Sequence, residues 1–83
     1  MTVTIYTRLN CPLCERGIAA AVRVYGEDRI TLVDVDLDLV LMEKYTNRVP
    51  VIESADGTVV SEGIIDVRVL RNHAERQTTH DQR

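Results

Sequence analysis

Thr2-Val3-Thr4-Ile5-Tyr6-Thr7-Arg8-Leu9-Asn10-Cys11-Pro12-Leu13-Cys14 decides how the rest of the chain is read. Residues 2–7 alternate β-branched and aromatic side chains, the pattern of a strand. From Pro12 onward, Cys14, Ile18, Ala21, Val22 and Tyr25 recur at helical spacing, while Glu15, Arg16 and Arg23 fall on other faces. Pro12 suits the first helical position, where its missing N–H would have had no partner, and Gly26 suits the position just past the end. The spacing predicts a helix over 12–25, with both cysteines at a strand-to-helix junction.

Ile30-Thr31-Leu32-Val33-Asp34-Val35 is nearly continuous in apolar and β-branched residues, as expected of a strand covered on both faces in a parallel sheet. It completes a βαβ unit. Asp36 or Asp38 caps a second, short helix in which Leu37, Leu41 and Tyr45 share a face, and Asn47 and Arg48 end it before Pro50. Val51-Ile52-Glu53 and Thr58-Val59-Val60 read as two short strands around Ala55-Asp56-Gly57, whose Asp-Gly pair signals an antiparallel hairpin. In a last helix, Ile65, Val69 and His73, or alternatively Val67, Leu70 and Ala74, offer an apolar stripe, with Arg71 and Arg76 near the negative end of the dipole. The segment 77–83 has no apolar residue and is expected to be a disordered tail on a single domain of residues 1–76. The order β-α-β-α-β-β-α gives an α/β fold, a mixed four-stranded sheet flanked by helices.

Eighty-three residues suffice for one domain with one core. Apolar residues at 45% and charged residues at 28% are ordinary globular usage, so the chain should fold. The net charge of −3 argues against a nucleic-acid partner, which needs a basic face to neutralise phosphates. No stretch approaches a membrane span, and the start of the chain lacks a basic segment followed by an apolar run, so a soluble cytoplasmic protein is expected; nothing specifies an oligomer, and a monomer is the default expectation. Two cysteines cannot be the framework of a small secreted fold and read better as chemistry.

That chemistry follows from location. Cys11 is placed at a helix N-terminus, where unpaired N–H groups and the dipole favour a thiolate, and Arg8 is expected to add a positive charge nearby. A thiolate attacks a disulfide sulfur, and Cys14, one turn along on the same face, resolves the mixed disulfide. Three other readings compete: half of a zinc site, a purely structural bridge, and two small core residues. Zinc needs two more ligands, and His73 and His80 are distant in sequence; a loop this small restrains the unfolded chain little. No metal site is expected. Asp34-Val35-Asp36-Leu37-Asp38 lacks the glycine and terminal glutamate of a calcium loop and reads as strand end plus cap. The two histidines read as solvated, without a role. Pro50 is either a strand starter or part of a cis peptide.

The strand, Cys11-Pro12-Leu13-Cys14 on a helix start, Arg48-Val49-Pro50, the hairpin and Glu62-Gly63-Ile64-Ile65-Asp66 before a final helix together resemble glutaredoxins over about residues 2–75. With Tyr6-Thr7-Arg8 before the cysteines, the chain looks most similar to short bacterial glutaredoxin-like proteins. The resemblance implies a thioredoxin-like fold and a dithiol oxidoreductase with catalytic Cys11 and Cys14. It also implies a cis Pro50 facing Cys11, with the Val49 backbone pairing with a bound thiol. Arg8 and the Ile65-Asp66 region stand where the family holds the carboxylates of glutathione; a helix N-terminus suits a carboxylate, and Asp66 reads equally as a helix cap. The expected thiol-binding surface therefore comprises Arg8, Pro12, Leu13, Arg48, Val49, Pro50, Ile65 and Asp66. The sequence departs from the family at Glu62-Gly63 for Gly-Gly, at Arg48 for Thr, and at Leu13 for Tyr. No tightly bound cofactor is expected. The implied partners are a protein disulfide or small-thiol mixed disulfide as substrate, and glutathione, another low-molecular-weight thiol or a flavoprotein as reductant. Two alternatives are a module that uses Cys11 to hold a small thiol or an iron-sulfur cluster, and a non-redox adaptor that docks a partner. The second thiol, Cys14, argues against the first.

Overall fold

A computed structural model describes the backbone of residues 1–45 and 47–81 and the side chains of 1–45 and 47–76. Strands β1 (Val3–Thr7), β2 (Ile30–Asp34), β3 (Val51–Ser54) and β4 (Val59–Glu62) form one sheet in the order β2-β1-β3-β4. β1 runs parallel to β2 and antiparallel to β3, and β3 runs antiparallel to β4. Helices α1 (Pro12–Tyr25), α2 (Leu39–Tyr45) and α3 (Val67–Asp81) complete the expected order, with 3₁₀ turns at Glu27–Arg29 and Val35–Leu37.

Strand periodicity separates two cores. Val3, Ile5 and Ile52 point to one face, where Ala20, Ala21 and Tyr25 of α1 and Leu70 of α3 cover them. Val51 points to the other face and packs with Val35 and Tyr45, beside Tyr6, Leu41 and Val49. Burying side chains as fully as Ile5, Ile52 and Leu70 contributes about 1.5–3 kcal/mol each, before the entropy of ordering them. Among the described residues, no helix is long and apolar enough to cross a membrane.

Helix α1 has the expected limits but a rotated buried face. Cys14, Gly17, Ala20, Ala21 and Tyr25 are buried, whereas Ile18 is half-buried and Val22 exposed. Small side chains allow α1 to lie close to its neighbours, and close approach outweighs the size of Ile18 and Val22. β2 also departs from expectation: Thr31 is exposed and Leu32 is 53% exposed, because β2 is the edge strand and is not covered on both faces. Asp38 caps α2, its carboxylate accepting from the Val40 amide at 2.9 Å, while Asp34 accepts from the Asp36 amide. Leu37 is 85% exposed and does not share the buried face of Leu41 and Tyr45.

The hairpin turns through 55–58 with Gly57 at φ 88°, and the Asp56 carboxylate accepts from the Ser54 hydroxyl and the Thr58 amide, which holds its pKa down at about 2. In α3 the second of the two expected stripes is inward, Leu70 with Val67 and Ala74, while Val69 is exposed. His73 is not solvated: it is buried, and its Nδ1 lies 2.8 Å from the Tyr25 hydroxyl of α1. The backbone of α3 continues to Asp81, into the segment expected as a tail; side chains from 77 onward, His80 among them, and residues 82–83 lie outside the described residues.

Candidate active site

The site begins where β1 ends. Asn10 takes a left-handed backbone, φ 57°, which Asn tolerates better than most residues, and the chain turns there from strand into helix. Cys11 follows in extended conformation as the N-cap of α1, and its sulfur accepts a hydrogen bond from the Cys14 amide at 3.1 Å. The Glu15 amide donates to the Cys11 carbonyl at 3.0 Å and closes the first turn. Pro12 stands at the first helical position, exposed, with Leu13 41% exposed beside it. Cys11 and Cys14 form a disulfide across a Cα–Cα distance of 5.2 Å, inside the range such bridges span. The two sulfur-bearing residues differ in access: Cys11 is half-buried and Cys14 only 1% exposed.

Beside the disulfide lies a cavity of about 230 Å³ between the end of β1, α1 and β2, with Arg8, Leu9, Asn10, Ile18 and Leu32 in its walls. Asn10, Ile18 and Leu32 were not anticipated there. Their convergence on one cavity depends on the parallel pairing of β1 with β2, which sequence patterning places only in outline.

Pro50 stands against the buried face of α1. The Val49–Pro50 peptide is cis, Pro50 is fully buried, and its carbonyl accepts from the Gly63 amide at 2.9 Å. A β-carbon on Gly17 would stand 3.0 Å from Pro50 Cγ and 2.9 Å from Ile65 Cγ1. Pro50 and Ile65 thus rest on α1 at Gly17, one turn beyond Cys14 on the buried face. Gly17 is a residue the sequence reading passed over; a glycine inside a helical pattern was the available signal.

Both arginines expected at the site are already engaged. The Arg8 guanidinium chelates Asp36, with Nη2 at 2.8 Å and Nε at 3.2 Å from each carboxylate oxygen. Arg48 chelates Glu62, with Nε at 2.7 Å and Nη2 at 2.9 Å. The partners follow from register: Thr7 lies opposite Asp34 in the parallel pair, so the chain just beyond both strands converges, and Val51 lies opposite Glu62 in the antiparallel pair. Asp66 caps α3, accepting from the Arg68 amide at 2.8 Å and binding the Arg68 guanidinium at 2.9 Å. Hydrogen bonds from Arg48 and Arg68 hold the Glu62 and Asp66 carboxyls below their ordinary pKa values, and the same contacts, with Asp36 for Arg8, hold the Arg8, Arg48 and Arg68 guanidiniums above theirs.

The family model for the Glutaredoxin-like domain (DUF836) matches residues 2–77. No curated protein matches the chain. Among solved structures, that of the structural-genomics target XcR50 from X. campestris is similar, with 27% identity, a TM-score of 0.75, and 90% of this chain and 97% of that one covered. Protein Ne2328 from Nitrosomonas europaea shares the fold at 24% identity and a TM-score of 0.69, over 87% of this chain and 88% of its own. Glutaredoxin from Brucella melitensis does so at 24% identity and a TM-score of 0.60, over 94% and 86%. The chain belongs to the glutaredoxin-like domain family and carries, on a thioredoxin-like fold, a Cys11–Cys14 pair at the start of its first helix.

Proposed function

We propose that the protein is a dithiol thiol-disulfide oxidoreductase that reduces protein disulfides or mixed disulfides, with Cys11 as nucleophile and Cys14 as resolving thiol. The observation that carries this reading is the pairing of a reachable Cys11 sulfur, capping a helix N-terminus, with a buried Cys14 within bridging distance. In the reduced protein, the Cys14 amide and the helix dipole favour the Cys11 thiolate. The thiolate attacks one sulfur of a substrate disulfide, forming a Cys11–substrate bond and releasing the other substrate sulfur as a thiolate, which takes up a proton. Cys14, having given up its proton, then attacks the Cys11 sulfur and expels the second substrate thiolate. The substrate gains two electrons and two protons, and the protein leaves as the Cys11–Cys14 disulfide. Two equivalents of a low-molecular-weight thiol, or a reducing flavoprotein, return it to the dithiol; the reducing cytoplasm is the compartment in which that cycle runs.

In this reading, Pro12 and Leu13 border the reacting sulfur, and the Val49 backbone beside Pro50 pairs with the substrate chain. The test is a thiol titration in defined redox buffers, with alkylation and intact mass as readout. A reversible two-electron transition between about −300 and −180 mV is expected. Cys11→Ser should abolish reduction of a model disulfide, and Cys14→Ser should accumulate a mixed disulfide on Cys11. No internal disulfide under any buffer, or full activity of Cys11→Ser, would overturn the reading.

A further inference from the structure

Both arginines expected to meet an incoming carboxylate beside the cysteine pair already hold one of the protein's own. Arg8 presents two nitrogens to Asp36, and Arg48 presents two to Glu62, the forked geometry that an incoming carboxylate would use. At the N-terminus of α3, the Arg68 amide is taken by Asp66. A tethered carboxylate competes at an effective concentration on the order of millimolar or above, so a ligand carboxylate gains only the difference between two similar contacts. The cavity beside the disulfide holds two further carboxylates, Glu15 and Asp34, which repel an anion.

The surroundings are apolar instead. Leu9, in the cavity wall with Cys11, is 77% exposed; Leu13, between the cysteines, is 41% exposed; Ile64, preceding the Ile65 that rests on α1 at Gly17, is 83% exposed. Large exposed apolar side chains beside a reacting sulfur, as Leu9 and Leu13 are here, mark a surface that a partner covers.

We propose that this surface selects polypeptide disulfides whose cysteine is flanked by uncharged, apolar residues, and discriminates against carboxylate-bearing small thiols such as glutathione, with Asp36 and Glu62 as the specificity-determining residues. The proposal rests on the oxidoreductase reading and names its substrate class.

The experiment follows oxidation of the reduced protein to its Cys11–Cys14 disulfide by oxidised glutathione and by the ethyl ester of oxidised glutathione, in which the carboxylates are masked. Each reaction moves two electrons and two protons from the dithiol to the small disulfide and releases two small thiols. The wild-type protein should react faster with the ester. Asp36→Asn with Glu62→Gln, both at exposed positions, should shift the ratio of the two rates toward oxidised glutathione by about 10-fold, roughly 3-fold per carboxylate, with the shift shrinking at high salt. A peptide disulfide flanked by leucines should outpace one flanked by glutamates by a similar factor. A wild-type preference for the charged disulfide, or a ratio that the double variant leaves unchanged, would overturn the specificity. Oxidation by none of these disulfides would instead overturn the oxidoreductase reading on which it rests.

Discussion

Gly17 sets two opposing effects against each other within one residue. Alanine inside a helix is favoured over glycine by about 1 kcal/mol. Here, however, the added methyl would meet Ile65 Cγ1 at 2.9 Å and the Pro50 ring at 3.0 Å, and Pro50 is buried with little room to move. Overpacking of this kind costs about 1–3 kcal/mol, so strain prevails. We expect Gly17→Ala to lower stability by about 1 kcal/mol, read as a lower urea midpoint, and to slow disulfide exchange by displacing Pro50 from α1. An unchanged or raised midpoint would mean that the neighbours yield freely. The cysteine pair was legible in the sequence because its meaning depends on local context, a strand before it and a helix after. Gly17 was not, because what a glycine accommodates lies 48 residues further along the chain, at Ile65.

At the scale of elements, α2 is fastened to the sheet by a buried polar cluster. Glu53 of β3 is 8% exposed and accepts hydrogen bonds from the Tyr45 hydroxyl, at the end of α2, and from the Tyr6 hydroxyl of β1 at 3.2 Å. Burial is the first cause, and Glu53 a second, of the raised pKa values of both phenols. Removing one donor leaves a buried carboxylate oxygen without its partner, at about 1–3 kcal/mol. Tyr45→Phe should therefore destabilise by about that amount in urea unfolding. Because Arg48, Val49 and Pro50 follow directly from α2, it should also broaden the amide resonances of that loop; a neutral substitution would show that water replaces the hydroxyl. Helix existence and order were legible from periodicity. Which stripe of α3 turns inward was not, since Ile65, Val69 and His73 compete with Val67, Leu70 and Ala74 on equal terms until the core formed by β1, β3 and α1 takes in Leu70 and leaves Val69 exposed, with His73 buried against Tyr25.

Across the whole molecule, the pH dependence of stability sums contributions of opposite origin. Burial, and to a lesser extent Arg76, hold the His73 pKa below its ordinary value, while the Asp56 carboxylate opposes the shift; Tyr25 faces the ring and is itself pushed up to about 12 by burial. The unfolded chain therefore takes up a proton at about pH 6.5 that the folded chain refuses, and stability falls as pH drops from about 7 toward 5. Asp56, Glu62 and Asp66 have depressed carboxyl pKa values, so their contributions hold above the ordinary carboxylate range and are lost as pH falls from about 4 toward 2. These groups are exposed and solvent screens them, so the second decline should be shallow. Urea midpoints measured from pH 8 to pH 3 should show both steps, and His73→Gln should flatten only the first. A single decline below pH 4 in the native protein would remove His73 from the account.

By itself the sequence determined the element order, the limits of the first helix and the placing of two cysteines at its start. Those features are written in short-range patterns: alternation, a 3.6-residue period, Pro12 before a helix and Gly57 in a turn. The tertiary structure alone decided that β2 is an exposed edge, that His73 is buried, and that Arg8 and Arg48 each hold a carboxylate of the same chain. Strand order and register create those neighbours, bringing Arg8 to Asp36 across 28 positions and Arg48 to Glu62 across 14. Electrostatic pairing acts through space over a few ångströms, so a charge count along the chain records how many arginines exist but not which remain available to a ligand.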